Sequence, residues 1–227
     1  MRLVLFDIDG TLLTDGGAAR AAYGDALRSV YGYAGDLDAY DFSGRTDPQI
    51  TAMVLGDAGF SADDIDAKLP ALWEVYLVGL ARNATRERVR VLPGMRELVD
   101  ALAQRDDVLL ALLTGNIEPG ARLKLGPPEL NAYFPFGAFG SDSARREELP
   151  PIAVARASER HGHEIAGRDV VILGDSIYDV RCGVPHDATT IAIASGRTSA
   201  DTLRAEDPHF FFDDAADWRH VLDAIVG

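Results

Sequence analysis

The chain has 227 residues, 47% of them hydrophobic, with 36 acidic residues against 22 basic ones and a formal net charge of −14. That length and apolar content allow a substantial core with room for two lobes, while the charge argues against nucleic acid or anionic membrane as a partner. A single cysteine, Cys182, excludes an internal disulfide and a cysteine-rich zinc site, and it fits a reducing compartment.

The first predicted element is a strand. Leu3 to Phe6 are four consecutive apolar residues that break into Asp7-Ile8-Asp9-Gly10-Thr11, the pattern of a strand buried on both faces with two carboxylates at its C-terminal end. Side chains alternate along extended chain, so Asp7 and Asp9 can share one side. A plain Asp-Gly turn is the inert alternative, and a carboxylate pair there needs a cation or proton to offset its repulsion. A polar stretch ending in Asp15-Gly16-Gly17 reads as a hinge before a helix from Ala18 to about Tyr31, where Tyr23, Leu27 and Val30 have helical spacing. Further helices are predicted over about 47–58 and 61–83, the second opened by Ser61 with Asp64 three residues on. The charged run 82–90 and Val91-Leu92-Pro93-Gly94 mark a second joint, with Pro93 beginning a helix to about Gln104. Residues 15–90 are therefore expected as an all-helical insert.

Beyond it the pattern becomes strand then helix, repeated. Val108–Leu113, Val170–Leu173 and Thr190–Ile193 are short apolar strands with helical patterns between them, which predicts a parallel sheet. Phe210–Phe212 reads as a last strand, and Trp218, Val221, Leu222 and Ile225 as a closing amphipathic helix. Two of the strands end in polar residues, Thr114-Gly115-Asn116 and Gly174-Asp175-Ser176-Ile177-Tyr178-Asp179. Parallel strands align such ends on the edge where open sheets bind ligands, which makes Asp7, Asp9, Thr114, Asp175 and Asp179 a candidate site. Singly, Thr114 reads as a helix cap and Asp179 as a first-turn carboxylate; their convergence carries the inference.

In order and context, Asp7 to Thr11, Thr114 and Gly174 to Asp179 resemble the motifs of the haloacid dehalogenase superfamily. Gly44-Arg45-Thr46-Asp47 and Leu113-Thr114-Gly115-Asn116 look like its phosphoglycolate phosphatase-like branch. The resemblance implies an α/β fold, with a Rossmann-like parallel-sheet core over 1–14 and 91–227 and an all-helical cap domain over 15–90. It also implies Mg²⁺-dependent hydrolysis of small phosphate monoesters of the phosphoglycolate kind. Asp7 would attack phosphorus to give an aspartyl-phosphate, and Asp9 would protonate the leaving alcohol and then activate water. The metal would rest on the Asp7 and Asp175 carboxylates and the Asp9 backbone carbonyl, with Asp179 supporting it. Thr114, Gly115, Asn116 and a basic residue would hold the phosphate, and Arg45 would meet the rest of the substrate.

That basic residue is usually a lysine followed by proline, but Ala144-Arg145-Arg146-Glu147-Glu148-Leu149-Pro150-Pro151 contains none. Arg146 is the candidate, with Arg145 and Lys124 as alternatives. A β-phosphoglucomutase-like sugar-phosphate mutase shares all these motifs. A haloacid dehalogenase would need neither metal nor Asp9, and a regulatory module would have kept the fold and lost the chemistry. No basic-then-apolar leader opens the chain, and no apolar run approaches ~18 residues. A cytoplasmic monomer or homodimer acting on a small phosphorylated metabolite, and bound to neither nucleic acid nor membrane, is expected.

Overall fold

The computed structural model describes residues 1–227. β1 (Arg2–Phe6) leads through a short β2 (Leu13–Thr14) into three helices, α1 (Ala18–Tyr31), α2 (Asp47–Asp57) and α3 (Ala62–Asn83), before β3 (Arg90–Val91) and α4 (Met95–Ala103). Strand and helix then alternate: β4 (Val108–Thr114), α5 (Glu118–Leu125), β5 (Gly137–Phe139), α6 (Leu149–His161), β6 (Val170–Gly174), α7 (Ile177–Gly183), β7 (Thr189–Ile193), α8 (Ala200–Ala205), β8 (Phe210–Phe212) and α9 (Trp218–Val226). Six of the strands form one parallel sheet in the order β5-β4-β1-β6-β7-β8, with β1 near its centre.

Alternation along β1 explains its two-sided burial. Val4 and Phe6 enter a 39-residue apolar cluster with residues of α1, α3, α4 and α9, whereas Leu3 and Leu5 enter a 13-residue cluster with Leu149, Ala153 and Ala157 of α6. Phe6 is in register with Leu112 of β4 on one side and Leu173 of β6 on the other. The residues just past these positions therefore leave the sheet at one edge, and the Asp7 N–H still donates to the Leu173 carbonyl at 3.0 Å.

β2 and β3 pair antiparallel, Leu13 with Val91 and Thr14 with Arg90, so the chain enters and leaves the helical insert side by side. Local signals start its helices as the sequence predicts. Ser61 accepts the Asp64 N–H at the head of α3, and Thr46 with Gln49 closes a capping box on α2. α3 continues through an internal Pro70, and α1 and α3 pack against each other.

Two expectations change. The helix expected from Pro93 begins at Met95, with Gly94 as a left-handed cap at φ 77°. A Cβ on Gly94 would lie 1.7 Å from the Ala215 carbonyl oxygen, so the Pro93-Gly94 joint is wedged against the loop before α9 and is no free hinge. The edge strand β5 was not among the predicted strands. Its three residues are too few for alternation to show.

Candidate active site

The rim at the C-terminal edge of β1, β4 and β6 collects the predicted carboxylates. Asp7, Asp175 and Asp179 are buried and offer oxygens within 4.8 Å of one another. Thr11 Oγ1 donates to Asp175 Oδ1 at 3.2 Å. Asp179 is committed on both oxygens: Oδ1 accepts from Arg146, and Oδ2 accepts the Ser176 N–H at 3.0 Å and the Ser176 hydroxyl at 2.6 Å. Asp7 and Asp175 are thus the freer pair.

Burial pushes the Asp7 carboxyl up to about 7, with Arg146 opposing and Asp179 and Asp9 adding to the rise. Burial first, then Asp7 and Asp179, holds Asp175 well above the usual carboxylate range. A hard divalent cation with oxygen ligands fits this set, because it would supply the charge that lets Asp7 and Asp175 ionise together.

Of the two adjacent arginines, Arg145 is exposed and pairs with Glu147 at 3.1 Å and Glu148 at 3.2 Å, whereas the Arg146 side chain is 3% exposed and lies 3.3 Å from Asp7. Arg146 also bonds Asp179 and, at 3.3 Å, the Leu113 carbonyl, while its Nε is buried without a partner. Its guanidinium bridges two of the three clustered carboxylates.

Asp9 is placed apart from that triad. Its Oδ2 accepts from Lys124 Nζ at 2.6 Å and Asn116 Nδ2 at 2.8 Å. Asn116 Oδ1 accepts from Lys124 at 2.6 Å, and its Nδ2 also donates to Thr114 Oγ1 at 2.8 Å. Asn116 is spent on these bonds, and its backbone N–H also goes to Thr114 Oγ1, at 3.3 Å. Burial opposes the charge on Lys124, but Asp9 beside it raises its pKa overall. From sequence Lys124 is an alternative to Arg146, yet the structure gives it a different partner, Asp9. The signal was available: Gly120, Ala121, Lys124 and Leu125 form the buried face of α5, and a lysine on an apolar helix face needs a buried anion.

The turn Gly44 to Asp47 of the insert sits directly on this rim. Thr46 Oγ1 donates to the Ala144 carbonyl at 2.7 Å, and the Asp47 N–H to the Gly115 carbonyl at 2.7 Å. Asp47 Oδ2 accepts the Ile117 N–H at 2.8 Å. A Cβ on Gly115 would stand 2.0 Å from the Arg45 carbonyl oxygen, so only glycine admits the turn this closely. Arg45 donates from Nε to the Asp41 carbonyl at 3.2 Å and lies 5.4 Å over the Tyr178 ring. Insert and sheet together enclose a cavity of about 440 Å³ lined by five carboxylates and five cations, among them Asp7, Asp9, Arg45, Lys124 and Arg146.

A family model described as haloacid dehalogenase-like hydrolase matches residues 4–183, and a second hydrolase-like model of the same kind matches 149–218. A phosphoglycolate phosphatase of Pseudomonas fluorescens is 25% identical over 218 residues, 94% of this chain and 76% of its own length. One of Vibrio vulnificus is 23% identical over 228 residues, covering 100% of this chain and 96% of its own. The crystal structure of a hydrolase from Pseudomonas syringae superposes over the whole of both chains with a TM-score of 0.75 at 19% identity.

Proposed function

The chain belongs to the haloacid dehalogenase-like hydrolase family and is a phosphatase, and from that premise we propose that it hydrolyses small phosphate monoesters of the phosphoglycolate kind, with Mg²⁺ and through an aspartyl-phosphate on Asp7. One observation supports this reading above the others: the two carboxylates of the first motif occupy different settings. Asp7 lies beside Arg146 and the clustered carboxylates, whereas Asp9 is held by Lys124 and Asn116. A nucleophile and a proton carrier need such separate environments.

In this reading the carboxylates of Asp7 and Asp175 hold Mg²⁺, with Asp179 behind them, and the ion supplies charge neutralisation for the phosphoryl oxygens. Arg146 favours the ionised form of Asp7 against its burial, and its unpartnered Nε retains a donor for a phosphate oxygen. The Thr114 hydroxyl accepts from Asn116 and keeps its own proton to give to the phosphate. Asp7 attacks phosphorus in line with the leaving oxygen. Asp9, with Oδ2 fixed and Oδ1 uncommitted, protonates that oxygen and then takes a proton from the water that cleaves the aspartyl-phosphate. A dehalogenase would have no use for Asp9 or its Lys124-Asn116 support.

The direct test is phosphate release by the purified protein from a panel of phosphorylated metabolites with Mg²⁺. Release that stops with chelator and returns with Mg²⁺ is expected. Isomerised sugar phosphate without free phosphate would move the reading to a mutase, and activity indifferent to chelator would move it to a dehalogenase.

A further inference from the structure

The loop after β7 has no role in the chemistry above, yet it closes one side of the carboxylate cluster. It runs from Ala194, whose N–H donates to the Phe212 carbonyl at 2.9 Å, to Ser199, which caps α8 by accepting the Thr202 N–H at 3.2 Å. Between these anchors the Ser195 hydroxyl donates to the Gly10 carbonyl at 2.7 Å. The Gly10 N–H donates to the Leu13 carbonyl at 2.9 Å, so the turn after Asp9 is tied through both of its backbone groups.

The Asp175 carboxylate lies against both of these segments. A Cβ on Gly10 would stand 2.5 Å from Asp175 Oδ2, and one on Gly196 would stand 1.7 Å from the same oxygen. Gly10 has φ 85°, which calls for glycine in any case, whereas Gly196 is not among the positive-φ glycines. At Gly196 it is the close approach to Asp175 that leaves no room for a side chain. Gly196 is exposed while Asp175 is 4% exposed, so the loop backbone covers the carboxylate on that side.

Such confinement matters because of charge. Asp7 and Asp179 bring oxygens within 4.8 Å of Asp175, and like charges at that range drive a mobile carboxylate away. Asp175 accepts one side-chain hydrogen bond, from Thr11 to Oδ1 at 3.2 Å, so Oδ2 is placed by contact with the two glycines. A Mg²⁺ site tolerates little spread in its ligands.

We propose that Ser195 and Gly196 are positioning residues of the cation site: Gly196 closes against the Asp175 carboxylate, and Ser195, by pinning the Gly10 carbonyl, holds that closure. The proposal rests on the Mg²⁺ reading of the cluster and adds to it the residues outside the cluster that set its affinity for the ion.

The experiment follows melting temperature over a Mg²⁺ series without substrate, which reports binding to the folded chain, and the Mg²⁺ dependence of phosphate release beside it. It compares wild type, Ser195→Ala, Ser195→Thr, Gly196→Ala and Asp175→Asn, the last giving the response to ions bound elsewhere on the acidic surface. Ser195→Ala is expected to need about tenfold more Mg²⁺ or above in both assays, and Ser195→Thr, which keeps the hydroxyl, to stay within about threefold of wild type. Saturating Mg²⁺ should return kcat of Ser195→Ala to near wild type. In Gly196→Ala the three nearest atoms to the new Cβ all belong to the Asp175 side chain, so the variant is expected to fold with that carboxylate displaced and to respond to Mg²⁺ as Asp175→Asn does. A role in holding the loop alone would lower the metal-free melting temperature and leave the Mg²⁺ dependence unmoved. Ser195→Ala and Gly196→Ala both matching the wild-type Mg²⁺ dependence within about twofold would overturn the proposal and leave the phosphatase reading standing. Loss in Gly196→Ala with none in Ser195→Ala would overturn the pin. A wild type that responds to Mg²⁺ no more than Asp175→Asn, with phosphate release indifferent to the ion, would overturn the Mg²⁺ reading and the proposal together.

Discussion

At Asp7 the carboxylate is crowded by others and has one buried cation 3.3 Å away, so its charge costs stability in the folded protein. Asp7→Asn is therefore expected to fold at least as stably as the native chain while losing about a thousandfold or more in turnover, as is Asp9→Asn in turnover. Thermal unfolding alongside phosphate release checks both, and near-native turnover in either would refute the assigned roles. Arg146→Ala removes the cation from between Asp7 and Asp179 and should cost about 3–5 kcal/mol, whereas the exposed Arg145→Ala should stay within about 0.5 kcal/mol. Equal losses in denaturant titrations would contradict the burial that separates these neighbours. At this scale the first-motif aspartates were legible because the apolar run ends on them. Lys124 was not legible as a partner of Asp9, because the two are 115 positions apart and only the tertiary placement of α5, which packs on α3, makes them meet.

Among the elements, the α2 start is tied to the rim through Asp47, whose carboxylate accepts the Ile117 N–H ahead of α5. Burial pushes Asp47 up to about 6, with Lys124 and that N–H pulling the other way. The folded chain thus binds the Asp47 proton more readily than the unfolded chain, whose carboxyl titrates near ~4. This contribution to stability is fully present below ~4 and is lost as the pH rises through about 6. Asp47→Asn keeps an acceptor for Ile117 and should flatten this part of the stability profile, as seen in melting temperatures from about pH 4 to 7. An unchanged slope would assign it to other groups. Long helices were readable from capping residues and periodicity, as at Ser61. The β2-β3 pair was not, since two residues per strand carry no pattern.

At the scale of the whole molecule, the larger of the apolar clusters runs without interruption from Val4 and Phe6 through α1 and α3 of the insert. Separate unfolding of the insert would open this shared cluster to water, so the two regions should unfold together. The two tryptophans, Trp73 on α3 and Trp218 on α9, allow a clean measurement. Variants keeping one or the other should show coincident urea transitions, and an earlier transition at Trp73 would mean an insert that melts alone. The sequence showed the insert as a break between sheet strands, but it could not show that both share one core. The β2-β3 ribbon bears on how such a chain could be recombined. With Thr14 beside Arg90, a relative's helical segment could be grafted in at one crossing point, the main-chain path on the sheet side unaltered. The graft would succeed or fail on whether its apolar face matched the cluster it must join, through α5 among other elements, which makes compatibility of faces, and not length of the segment, the condition a chimera must meet.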